Sequence, residues 1–161
     1  MNKVIIHWTA GSWTVSEFDK QHYHRLYDGS GKIFNGKFSI RDNQNVRDGT
    51  YAAHTLHCNL DSIGVSMACM ADAKENPFKP GKYPMTLKQF ETMVKDVAKL
   101  CKDYKIPVTP RTVLTHAEVQ ETLGIQQRGK WDITRIAFKP NLIGAKACGD
   151  YIRAQVKLNG A

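Results

Sequence analysis

Hydrophobic and polar positions alternate between two periods along this chain, and the changes of period mark its elements. Val4, Ile5 and Ile6 form a run of β-formers that ends on His7 and Trp8, followed by the small residues Thr9, Ala10 and Gly11, so a short buried strand is expected there. In "SWTVSEFDKQHYH", Val15, Phe18 and His22 fall at helical spacing, with Ser12 or Thr14 as the expected N-cap. "RLYDGSGKIF" carries two strand-like runs around the turn Asp28-Gly29-Ser30-Gly31, which predicts a hairpin. From Asn35 to Asn59 the sequence is polar and turn-rich and reads as a long functional loop.

"SIGVSMACM" at 62–70 has the length and apolarity of a buried strand, and "ENPFKPGKYP" is a proline-rich surface connection. "MTLKQFETMVKDVAKLCKDYKI" is the clearest helix. Thr86 and Gln89 are spaced as a capping box, and Leu87, Phe90, Met93, Val94, Val97, Leu100, Cys101 and Tyr104 make one apolar stripe. "RTVLTH" at 111–116 reads as another short strand ending on a histidine, and "NLIGAKACGDYIRAQV" as a C-terminal helix weakened by two glycines. Strands interleaved with helices predict an α/β fold, a central mixed β-sheet flanked by helices. No repeat or linker marks a boundary, so residues 1–161 are expected to form a single domain without a separate wall-binding unit.

Composition narrows the class. The 161 residues are 42% hydrophobic and 24% charged, ordinary for a globular domain large enough to bury a core, and no apolar run is long enough to span a bilayer. Only three aliphatic residues separate Lys3 from His7, too few for a signal peptide, so synthesis in a host cytoplasm without one is expected. Cys58, Cys69, Cys101 and Cys148 form no C-x-x-C pair and read as reduced thiols. A net charge of +8 implies a polyanionic partner: nucleic acid, anionic lipid or bacterial cell wall. The absence of a long basic run, zinc-finger spacing or helix-turn-helix signature argues against a stable nucleic-acid complex.

Two predicted strands end on histidine, His7 and His116, and "GKWDI" adds Asp132 two residues after Lys130. Two imidazoles and a carboxylate are the minimum protein shell of a catalytic Zn²⁺ site. Satisfied packing is the commoner role of such residues, and their chemistry alone leaves both readings open.

Order, spacing and flanking residues together add a resemblance. "VIIHWTAG", "HYHRLYDGSGKIF", "YAAHTLHCNLDSIGVSM", "LTHAEV" and "GKWDI" resemble, in this order, segments of the zinc-dependent N-acetylmuramoyl-L-alanine amidases that share a fold with peptidoglycan recognition proteins, above all the short lytic amidases (endolysins) of bacteriophages. The resemblance runs from about residue 2 to 135. It implies hydrolysis of the amide between N-acetylmuramic acid and L-alanine of peptidoglycan, with Zn²⁺ held by His7, His116 and Asp132. It further implies catalytic roles for Tyr23, which manages the water, and Lys130, which binds the oxyanion, and substrate-groove roles for His54 and Asn59.

A monomer acting on bacterial peptidoglycan after release, with no membrane insertion, is the expected form. Glu118 is the fallback base should Tyr23 not serve. His22 and His24 are expected to pack or cap, His57 to lie exposed in a loop, and Trp8 and Trp131 to wall the site. The sequence departs from the family pattern at Thr115, usually Gly, at Ile133, usually Pro, and around the loop histidine. Ser66 stands where a cell-wall recycling branch carries a catalytic Glu. Two other classes remain as alternatives: a muropeptide-binding module of the same fold that does not cleave, and a basic regulator that binds nucleic acid or a polymerase.

Overall fold

The computed structural model describes residues 1–161. The elements run β1 (Lys3–Trp8), α1 (Glu17–Lys20), β2 (Arg25–Tyr27), β3 (Ile33–Asn35), a 3-10 turn (Ile40–Gln44), β4 (Ser62–Met67), α2 (Leu87–Asp103), β5 (Val113–Thr115), α3 (His116–Leu123) and α4 (Ala145–Leu158). The five strands lie in the order β3-β2-β4-β1-β5, with β3 antiparallel to β2 and every other neighbour parallel, so the sheet is mixed as expected. Register pairs His7 with Ser66 and Ile6 with Thr115.

Strand alternation sends the side chains of β1 to two faces. Val4, Ile6 and Trp8 join the main core with Ile63, Val65 and Met67 of β4, covered by α2 and α4, whereas Ile5 packs with Leu114, Cys58 and Val119 on the opposite face. His7, two residues from Ile5, therefore emerges on the second face, where the 35–60 loop and α3 lie. The hairpin forms because the Asp28 carboxylate accepts hydrogen bonds from the Ser30 and Lys32 N–H groups while Gly31 takes a positive φ of 89°.

α2 carries the reciprocal cap of Thr86 and Gln89, and the Gln89 amide also donates to the Tyr27 and Ala68 carbonyls, fastening the helix to the sheet. Its stripe is buried except at its ends, and Leu87 is 53% exposed because it lies on the first turn, beyond the edge of the core. α1 begins later than expected. Its N-cap is Ser16, boxed with Asp19, and Phe18 is 69% exposed against His22 rather than buried.

A second difference matters more for the site. His116 does not end a strand; β5 stops at Thr115 and His116 is the first residue of α3, a helix the alternating pattern of "VLTH" concealed. Gly149 of α4, expected as a weakness, is required, because a Cβ there would collide with the Glu118 carboxylate. Glu118 forms a buried two-pronged ion pair with Arg153 at 3.0 and 2.9 Å, joining α3 to α4. The four cysteines are free and buried, and no helix is long and apolar enough to cross a membrane.

Candidate metal centre

Three elements bring three donor groups to one point on the second face of the sheet. His7 arrives at the end of β1, His116 opens α3, and Asp132 lies in the segment between α3 and α4, held by a 2.6 Å hydrogen bond from the Ala117 N–H to its main-chain carbonyl. His7 Nδ1 is 3.1 Å from His116 Nδ1 and 3.4 Å from Asp132 Oδ2, and His116 Nδ1 is 3.3 Å from Asp132 Oδ1. All three side chains are buried.

These separations test whether a metal fits. Tetrahedral zinc with nitrogen and oxygen ligands at about 2.0–2.1 Å requires ligand–ligand edges of about 3.3–3.4 Å, which the three observed distances approach. The protonation pattern agrees. His54 Nε2 faces the Ser62 carbonyl at 3.3 Å and must donate to it, so His54 Nδ1 accepts from the Thr55 hydroxyl at 2.7 Å. The Thr55 oxygen then accepts from His7 Nε2 at 3.3 Å, leaving the lone pair on His7 Nδ1. A lone pair there, beside a second imidazole nitrogen and a carboxylate, makes a donor set that could hold a cation.

The three groups are perturbed in different directions. Burial depresses the His7 pKa from 6.5 to about 4, so this imidazole is neutral at physiological pH. Burial alone would raise the Asp132 carboxyl, but its contacts with His116 and His7 outweigh that and hold it below the ordinary value. His116 is pushed the other way: burial lowers it, and the Asp132 contact more than compensates.

The triad opens on a cleft of about 410 Å³ lined by Trp8, Tyr23, His54, Arg128, Lys130 and Trp131, among others. Trp8 and Trp131 meet edge to face at 4.8 Å, so the expected aromatic wall is present. Tyr23 is half-buried with its ring 5.1 Å from that of His7, and burial reinforced by the Asp132 charge pushes its phenol up. Lys130 is exposed on the same cleft. A larger cavity, about 800 Å³, lies at the other end of β1 around Lys3, Tyr51, Leu60 and Arg111, away from this chemistry.

His54 and Asn59 border the cleft region but spend polar atoms inside the loop. The His54 ring lies against Gly64, where a Cβ would come within 2.4 Å of it, and Asn59 Oδ1 accepts from the His54 and Thr55 N–H groups at 3.0 and 2.9 Å. Glu118 cannot serve as the fallback base: its carboxylate is consumed by Arg153 and by the Thr115 N–H. Ser66 is fully buried beside His7 in the register, with no hydrogen-bond partner, so no carboxylate stands at that position. His24 accepts from the Gly64 N–H and faces Asn43 at 2.9 Å, His22 contacts the Ala53 carbonyl, and His57 is exposed in the loop.

The sequence did not single out Thr55, Asn43 or Gln127. Buried Asn43 organises the 35–60 loop by bonding His24, Ala52 and the Asn59 carbonyl, and Gln127 Oε1 sits 2.7 Å from His116 Nε2. Each is a polar residue in a polar stretch, and no periodicity distinguishes it from its solvated neighbours.

Comparisons with known proteins bear on this geometry. The family model described as N-acetylmuramoyl-L-alanine amidase matches residues 1–133. No curated protein sequence matches the chain. Among solved structures, the N-acetylmuramoyl-L-alanine amidase LysC from Clostridium intestinale URNW is similar at 14% identity and a TM-score of 0.56, over 97% of this chain and 85% of that one. The endolysine N-acetylmuramoyl-L-alanine amidase LysCS from the same organism gives 14% and 0.55, over 97% and 83%. A point mutant of PlyL gives 17% and 0.53, over 97% and 84%. At these identities the likeness is one of fold.

Proposed function

The chain belongs to the N-acetylmuramoyl-L-alanine amidase family, and from that premise we propose that it is a zinc-dependent endolysin that uses His7, His116 and Asp132 as metal ligands. The activity is hydrolysis of the lactyl amide between N-acetylmuramic acid and L-alanine. The observation that carries the zinc reading is the convergence of three buried donor atoms within 4.8 Å of one another.

Zinc held by His7, His116 and Asp132 would supply Lewis acidity there, toward an attacking water and the scissile carbonyl. The chain's own residues do the rest. Lys130, a cationic residue lining the cleft, binds the carbonyl oxygen as negative charge develops on it, an interaction stronger in the transition state than in the ground state. Tyr23 lines the cleft with its ring 5.1 Å from that of His7, so its Oη is the group that orients the water by a hydrogen bond. His54 and Asn59 serve the substrate groove by holding its floor, through the loop bonds described above. A binding module without hydrolytic activity would have no use for a complete triad, and all three ligands are present.

Two measurements test the reading. Digested peptidoglycan should yield stem peptides with a new L-alanine amino terminus and intact glycan strands; new reducing sugar ends without new amines would refute it. Metal analysis of the purified protein should find one zinc per chain, and His7→Ala should lose it while staying folded, since the core does not depend on the metal. Wild-type protein stripped of metal that still cleaves would overturn the zinc assignment.

A further inference from the structure

Gln127 is buried, 4% exposed, in the otherwise polar segment after α3, and every polar atom of its side chain is directed. Its Nε2 lies 2.8 Å from the Leu56 carbonyl and its Oε1 2.7 Å from His116 Nε2. A carbonyl oxygen only accepts, so the amide nitrogen must face Leu56 and the amide oxygen must face His116. The oxygen in turn only accepts, so His116 Nε2 must carry the hydrogen. His116 Nδ1 is thereby left as a lone pair, on the side of the ring that faces His7 and Asp132.

From this chain of forced donors and acceptors we infer that Gln127 is a positioning residue that fixes His116 in its metal-ready tautomer and orientation; the inference rests on the zinc reading above. The device is shared between both histidines. Thr55 orients His7, and the adjacent Leu56 carbonyl orients Gln127, so one turn of the 35–60 loop sets the tautomers of ligands that are 109 residues apart in sequence. The Gln127 main chain is itself anchored, its N–H donating to Gln120 Oε1 of α3 at 2.9 Å, which fixes the point from which the side chain reaches both partners. Outer groups of this kind typically change metal affinity by about 10–100-fold.

The test is zinc affinity, read by chelator competition on the full chain at fixed pH, independent of turnover. Gln127→Leu removes the acceptor for His116 and should weaken zinc binding by about 10–100-fold, with thermal unfolding used to verify that the variant is folded. Gln127→Glu restores an acceptor for His116 but loses the donor to Leu56, so it should bind zinc near the wild-type level. A residue that merely tethers the loop would give the opposite pattern, Glu failing as badly as Leu, and that result overturns the inference. Wild-type affinity in Gln127→Leu also overturns it, and Gln127→Met repeats the apolar arm should Leu not fold. Failure of the wild-type chain to bind zinc is read in a separate arm and removes the zinc reading, and with it this inference.

Discussion

Substituting Gly64 with alanine links the sheet to the metal centre through a single methyl group. A Cβ at this position would lie 2.4 Å from Cγ and Cδ2 of His54 and 2.9 Å from its Cβ, where ordinary carbon contacts begin near 3.5 Å. The ring must therefore retreat by about 1 Å. It has no slack for this, because Nδ1 is bonded to Thr55 at 2.7 Å and Nε2 to the Ser62 carbonyl at 3.3 Å. Overpacking of this kind costs about 1–3 kcal/mol, and in a chain of this length that lowers Tm by roughly 2–12 °C.

The second consequence of that substitution is at the metal. Displacing His54 pulls Thr55 away from His7 Nε2, and loss of such an outer partner weakens zinc by about tenfold or more. Thermal unfolding and chelator competition on Gly64→Ala measure the two effects. A Gly64→Ala protein with both wild-type Tm and wild-type zinc affinity would refute the packing argument.

Three further outcomes are expected. Tyr23→Phe and Lys130→Ala should each retain zinc and lose about 10²-fold in kcat, the scale of a lost general acid/base or oxyanion group; near-normal activity of zinc-loaded Tyr23→Phe would remove that residue from the mechanism. Burial lowers the His24 pKa from 6.5 to about 4, so the unfolded chain takes up the proton first as pH falls; His24's contribution is complete above pH 6.5 and lost by about pH 4, a change of about 3 kcal/mol that denaturant titrations should detect and His24→Gln should diminish. A wild-type stability that stays flat over this range contradicts that account. Because the chain carries a net charge of +8, cleavage of whole anionic wall should fall as salt rises while cleavage of a small soluble muropeptide changes little, and equal sensitivity would show that the charge does not target the wall.

Some of the physics that acts over a few residues was legible in the sequence, although the Ser16–Asp19 cap of α1 was not. The β-run of Val4 to Ile6, the Asp28 to Gly31 turn and the Thr86–Gln89 cap each depend on neighbours within about four positions, and each formed as read. His7, His116 and Asp132 could be named from residue type and order, together with the family resemblance. Their convergence could not. Donor separations of 3.1–3.4 Å arise only when β1, the start of α3 and the segment before α4 are packed against one sheet, with the two histidines 109 residues apart in sequence. The helix beginning at His116 was hidden because a strand and a helix N-terminus share the extended dihedrals of Thr115. Gln127, Thr55 and Asn43 were hidden for a deeper reason: a hydrogen bond is specified by distance and direction, and polar residues in loops acquire both only from partners that tertiary structure brings to them.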